Sequence, residues 1–108
     1  MAKLKDLLAI NGVVAAGEFT DEGTLMALEG NITEEEGAMA AQMCATNKKM
    51  MQLQVDGYTA VSQEDGWTPA TGFALAGPKL SICVYGNIGV FLETGKASFN
   101  QVMQAMQA

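Results

Sequence analysis

The most extended pattern in the chain is an apolar periodicity that runs from residue 33 to about residue 62 without a proline. Thr33 and Glu36 have the spacing of a capping box, and the acids at 34–36 favour the positive end of a helix dipole. The pattern therefore predicts one helix of about 30 residues. Gly57 is the point at which this helix could kink or end early.

Residues placed about 100° apart on this helix form two adjacent apolar stripes. Stripe A comprises Met39, Met43, Met50, Leu53 and Val61, and stripe B comprises Ala40, Cys44, Met51, Val55 and Tyr58. Together they span roughly 200°, whereas a surface helix on one core needs only about 100°. We expect one stripe to cover the subunit's own sheet and the other to meet a second molecule. The pattern does not assign the two roles, and Asn47 and Gln54 interrupt the apolar arc.

Short β-favouring segments lie on both sides of the long helix. The predicted strands are residues 13–20, 24–30, 71–76, 80–85 and 88–93. A turn containing Gly23 joins the first two, and Gly77-Pro78-Lys79 and Gly86-Asn87 join the last three. Residues 3–10 and the segment after Ser98 have the apolar spacing of short helices.

The predicted order is αββαβββα, an α/β fold of the α+β type with a five-stranded antiparallel sheet. The long helix covers one face, and two short terminal helices complete the fold. A chain of 108 residues fits one domain, residues 1–108.

Composition restricts the function. Twelve acids against six lysines give a net charge of −6, which repels nucleic acids and anionic lipid surfaces. The absence of histidine removes the commonest general base and metal ligand. No segment approaches the roughly 20 apolar residues of a membrane span, and the beginning of the chain does not resemble a signal peptide. We expect a cytoplasmic protein that has no cofactor and does not insert into membranes.

Few residues are candidates for chemistry. The glycines lack the spacing of a phosphate-binding loop, and the carboxylate pairs Asp21-Glu22 and Glu64-Asp65 lie in predicted exposed turns. Cys44 and Cys83 fit buried free thiols, with a disulfide or redox pair as the alternative. The helical methionines fit either adaptable core packing or a plastic recognition surface. No catalytic residue or metal site is predicted.

The predicted order of elements resembles the roadblock/LC7 domain family. The segments that carry the resemblance are Leu4-x-x-Leu7-Leu8-x-Ile10-x-Gly12-Val13, Ala15-Ala16-Gly17 and Thr20-Asp21-Glu22-Gly23, which are similar to that family's first helix and hairpin. The chain most resembles short prokaryotic members of uncharacterised function. The resemblance implies a role in binding or regulating other proteins, often small GTPases or motility and transport machinery.

The resemblance also implies a homodimer in which the long helix and the third strand of each subunit meet. Carried over by position, the contact residues are Met43, Cys44, Met50, Met51, Thr71, Phe73 and Leu75. The family implies no shared catalytic residue or cofactor. Because the chain has no arginine, any action on a GTPase would have to position the partner's own residues.

The main hypothesis is therefore a noncatalytic homodimeric interaction module that acts as a scaffold or regulator. A small-ligand sensor of PAS or profilin-like layout is the first alternative, since such sheets can enclose a ligand beneath a helix. A thiol redox protein is the second, and it requires Cys44 and Cys83 to meet or one thiol to be exposed and acidic.

Overall fold

A computed structural model describes residues 3–108 of the chain. The elements are α1 (Leu4–Leu8), β1 (Val13–Phe19), β2 (Leu25–Gly30), α2 (Glu34–Ser62), β3 (Gly72–Ala76), β4 (Leu80–Tyr85), β5 (Ile88–Glu93) and α3 (Phe99–Met106). The predicted order and α+β class are confirmed. The first hairpin is shorter than predicted because the backbone N–H of Thr20 already donates to the Thr24 carbonyl and closes the turn.

The five strands form one antiparallel sheet in the order β2-β1-β5-β4-β3. β2 and β3 are therefore its two edge strands. A register shift between Glu18 and Phe19 bulges the pairing of β1 with β2. The β4–β5 turn begins with Gly86 at a φ of 58°, which favours glycine at the first position of a two-residue hairpin loop.

Helices cover both faces of the sheet. On one face, α1 and α3 enclose a core that includes Leu7, Val90, Leu92 and Val102. On the other face, α2 packs over a smaller core. This second core contains Phe19, Ala41, Cys44, Ala45 and Val84.

The helix α2 begins at a complete capping box. The backbone N–H of Glu36 donates to Thr33 Oγ1 at 3.1 Å, and the backbone N–H of Thr33 donates to Glu36 Oε1 at 2.8 Å. The helix continues through Gly57 and ends at Ser62, before Gln63 in the left-handed conformation. Its predicted extent is thus confirmed, and it does not end early.

Only the first half of α2 lies over the sheet. A helix of 29 residues is about 43 Å long, whereas strands of five to seven residues span roughly 17–23 Å. The buried positions all lie between Gly37 and Ala45. Residues 49–62, which we call the overhang, extend beyond the sheet, and residues 63–71 return to β3.

Candidate interaction surface

The row of α2 that faces the sheet consists mainly of small residues. Gly37, Ala41, Cys44 and Ala45 are the buried residues of the helix. Their spacing of four, seven and eight positions defines one helical face. Stripe B contributes only Cys44 to this row, so the predicted stripe lies beside the true contact face and is not centred on it. A helix face of small side chains can approach a sheet closely.

Stripe A points away from the sheet. Its five side chains are between 54% exposed, at Met50, and 88% exposed, at Val61. Stripe B is mostly buried or half-buried, and its exposed member Tyr58 packs on Trp67, with ring centroids 4.7 Å apart. The structure therefore shows which of the two stripes is exposed. Stripe A is the surplus apolar surface.

An open groove runs between α2 and the β3–β4 half of the sheet, with a volume of about 410 Å³. Met39, Met43 and Asn47 line it from the helix, Phe73 and Leu75 line it from β3, and Ile82 and Phe91 form its floor. Glu36 and Asn47 contribute its polar side chains. The groove joins stripe A to the edge of the sheet.

The outer edge of strand β3 has unpaired backbone groups, and the strand carries no charged side chain. It pairs with β4 alone among the described residues, and its sequence is Gly-Phe-Ala-Leu-Ala. Phe73 is half-buried opposite Val84, and Leu75 is exposed opposite Ile82. Edge strands that carry neither charge nor proline are templates for pairing with another strand.

The predicted contact residues differ widely in their exposure. Met43, Met50, Thr71 and Leu75 are exposed, and Met51 and Phe73 are half-buried. Cys44 is only 5% exposed and packs in the subunit's own core beside Gly89. Cys44 also lines the groove, but at this exposure it offers a second molecule almost no surface.

The two thiols are separated by the sheet. Cys44 belongs to the core under α2, and Cys83 belongs to the core under the terminal helices. Both are buried and free, and burial raises the pKa of each thiol above its ordinary value. Neither condition of the redox hypothesis is met, since the thiols do not meet and neither is exposed and acidic.

A polar cluster holds the middle of α2, and sequence reasoning missed it. Lys48 Nζ lies 3.0 Å from both Asp21 Oδ1 and Asn87 Oδ1, and 5.8 Å from the centre of the Phe19 ring. Asn87 Nδ2 also donates to the Phe19 carbonyl at 2.7 Å. The cluster ties the helix to the β1–β2 and β4–β5 turns, at the point where the overhang begins.

Hydrogen bonds to Lys48 and Asn87, with the lysine charge, hold the pKa of Asp21 below its ordinary value. The sequence pattern placed Lys48 on the exposed arc of the helix and Asp21 in an exposed turn. Only a contact between residues 27 positions apart reveals their pairing.

Within residues 3–108 the structure holds no group of three or more histidine, cysteine or acidic side chains placed for a metal ion. In the same residues, no helix is both long and apolar enough to cross a membrane.

Residues 3–108 match the sequence profile of the family DUF2173, described as an uncharacterized conserved protein. The chain belongs to DUF2173. No protein of curated function matches this DUF2173 chain.

Solved structures share the fold of this DUF2173 chain. A roadblock/LC7 domain from Streptomyces avermitilis is 10% identical, with a TM-score of 0.74 over 96% of this chain and 85% of that one. The gliding protein MglB from Thermus thermophilus is 13% identical, with a TM-score of 0.77 over 96% and 77%. A structure described as MglB with tetrameric arrangement is 12% identical, with a TM-score of 0.76 over 96% and 76%. The DUF2173 chain therefore has the roadblock/LC7 fold, as its sequence predicted.

Proposed function

We propose that the protein is a noncatalytic homodimeric interaction module that acts as a scaffold or regulator of other proteins. The observation that carries this proposal is the exposed apolar surface formed by stripe A, the adjoining groove and β3. Large apolar side chains that remain more than half exposed and adjoin one another are typical of a protein interface.

Self-association fits this surface because its chemistry is self-compatible. Stripe A and β3 contain no charged residue, and Glu36 is the one charged residue among those that line the groove. Two copies related by a two-fold axis could therefore pair their β3 edges without placing like charges opposite each other. The apolar side chains Met39 and Met43 would then meet equivalent residues of the second copy. Such pairing would leave the groove covered and β3 with a partner on both sides.

The oligomeric state tests the proposal directly. Sedimentation velocity at tens of micromolar should give the mass of a dimer, and a strict monomer there would contradict it. Met43→Glu should convert the protein to a monomer, because it places a charge in the groove.

Met26→Glu is the matched control. Met26 and Met43 have similar exposure, 62% and 59%, but Met26 lies on the opposite edge strand. This variant should remain a dimer. Dissociation by both variants, or by neither, would assign the interface elsewhere.

The partner class follows from the fold resemblance, which suggests a small GTPase. A chain without arginine supplies no arginine finger, so it would act by positioning residues of the GTPase itself. A pull-down from the native organism should recover a small GTPase that binds differently in its GTP and GDP states. Equal binding of both states would argue for a scaffold and against a regulator.

The open groove also favours a second candidate, a small-ligand sensor. Its volume of about 410 Å³ lies in the range of ligand pockets, roughly 300–1,000 Å³. The cavity under α2 is only about 20 Å³, room for about one water, so a ligand would have to occupy the groove. Native mass spectrometry of the purified protein should show an added small-molecule mass if this candidate is correct. A ligand-free dimer would favour the interaction module.

A further inference from the structure

The acidic charge of the protein is concentrated in one segment. Residues 18–36 contain seven of the twelve acids and no lysine, whereas the remaining chain has five acids and six lysines. The net charge of −6 therefore belongs to the first hairpin and the start of α2. Lys48 offsets one of these charges by pairing with Asp21. The β2 edge itself carries Glu29 and has Glu34 beside it, whereas strand β3 carries no charged residue and Glu36 is the only charged residue lining the groove next to it.

The outer side of β2 is open to an additional strand. Within residues 3–108, β2 pairs with β1 alone, so alternate backbone N–H and C=O groups of Leu25–Gly30 point outward. A groove of about 460 Å³ follows this edge between β2 and the first turns of α2. Leu25, Leu28 and Ala38 are among its apolar lining residues, and Glu34 stands at its side.

Two carboxylates flank this edge on opposite faces of the sheet. Glu29 pairs in register with Ala16, which belongs to the core of the terminal helices, so Glu29 lies on that face. Glu34 lies on the α2 face beside the groove. Neither forms an ion pair within residues 3–108. An added strand directs alternate side chains to the two faces and could reach both carboxylates.

We propose that the β2 edge docks an extended, lysine- or arginine-bearing segment of another protein, which pairs with β2 as a sixth strand. Main-chain hydrogen bonds would supply affinity, and Glu29 and Glu34 would select basic side chains. A second copy of this chain is the wrong occupant, because two acidic β2 edges would repel each other. The proposal concerns the opposite edge from the proposed dimer contact and does not depend on dimerisation.

A synthetic probe tests this docking site on the full chain. The probe is a twelve-residue peptide that alternates valine and lysine, added to ¹⁵N-labelled protein and followed by nuclear magnetic resonance. We expect shifts and slower amide exchange at Leu25–Gly30, with one peptide bound per chain. A peptide with glutamate in place of lysine should not bind. A peptide with proline in place of every valine keeps the lysines but cannot form a regular strand, and it should also not bind.

Paired variants separate this site from general charge attraction. The double variant Glu29→Gln and Glu34→Gln should weaken binding of the valine–lysine peptide about tenfold, since it removes the two flanking carboxylates. The matched control, Glu64→Gln with Asp65→Asn, removes two charges from the loop after α2. Its affinity should stay within about twofold of the unmodified protein. Circular dichroism checks that both variants are folded.

Three results would overturn the proposal. The first is absence of binding by the valine–lysine peptide. The second is equal binding by the proline peptide, or equal weakening by both double variants, because either shows attraction without strand pairing. The third is a set of shifts at β3 in place of β2. None of these results depends on whether the protein is a dimer, so failure here leaves the proposed dimer open to its own test.

Discussion

The two halves of α2 differ in what they bury, because only the first half has fully buried residues. Between Glu34 and Lys48 the helix lies against the sheet through glycine, alanine and cysteine, and its larger methionines point outward. In the overhang, no side chain is fully buried, and Leu53 and Val61 are among the most exposed. In a monomer that buried its largest apolar groups, the small residues would lie outside. The inverted arrangement leaves the large side chains of stripe A exposed, as the second contact that we propose would require.

The largest expected effect on stability comes from placing an aspartate in the first half of α2, and the same change in the overhang is its comparison. Ala45→Asp buries an unpaired carboxylate in the core under α2 and should lower the free energy of unfolding by about 3 kcal/mol or more. Ala60→Asp, in the exposed overhang, should cost no more than about 1 kcal/mol, mainly through helix propensity. Urea denaturation measures both values. Similar losses would show that the overhang is as tightly packed as the first half.

A smaller effect is expected at the junction between the halves. Lys48→Met removes the contacts that join α2 to Asp21 and Asn87, so it should lower stability and speed amide exchange around residue 48. Lys49→Met makes the same change at an exposed neighbour without such contacts. It should leave both measurements nearly unaltered. If the two variants behave alike, the cluster does not anchor the helix.

The contribution of Asp21 ionisation to stability is expected to be smaller than that of the whole cluster. The pKa of Asp21 is held below its ordinary value of 3.8, so its contribution to stability is fully present above that value. The contribution is lost as the pH falls through the lowered pKa. Asp21→Asn should therefore be less stable than the unmodified protein by a constant amount near neutral pH, and the difference should shrink below about pH 4. Denaturation curves across this range measure it. A difference that persists in acid would point to a cause other than ionisation.

The smallest effect is expected at the end of the overhang. Tyr58→Ala removes the ring that packs on Trp67, the only tryptophan of the chain. Since both residues are about half exposed, the loss of stability should be at most about 0.5 kcal/mol. The fluorescence of Trp67 should shift to longer wavelength as its ring gains water. An unaltered spectrum would mean that Tyr58 does not shield it.

Local signals predicted most of the fold. The capping box at Thr33 and Glu36 located the start of α2, and tight turns located β4 and β5 to the residue. Caps and tight turns are determined by residues that are close together in the sequence, so the sequence alone is enough to locate them. The outward direction of stripe A could not be predicted, because both stripes repeat with the same period. The face that packs on the sheet consists of the small residues between Gly37 and Ala45. Because these residues contribute little hydrophobicity, the apolar pattern did not mark this face.

The long-range contacts of the site were beyond sequence reasoning. The pairing of Lys48 with Asp21 depends on how two hairpin turns meet one helix, and no spacing encodes it. The groove also results from long-range packing, because it is the space left between α2 and β3. The resemblance did indicate the helix and the strand that border it, but it could not show that Cys44 is directed inward.

The methionines of stripe A give this surface a chemical sensitivity that leucines would not. Met39, Met43 and Met50 are more than half exposed, whereas Met106, the last residue of α3, is buried. Peroxide should oxidise these three residues, like the exposed Met26 outside the stripe, before Met106, and each sulfoxide would turn a flexible apolar group into a polar one. A partner seated on the stripe would shield them. The order in which the methionines oxidise therefore records how much of the surface is covered at any moment.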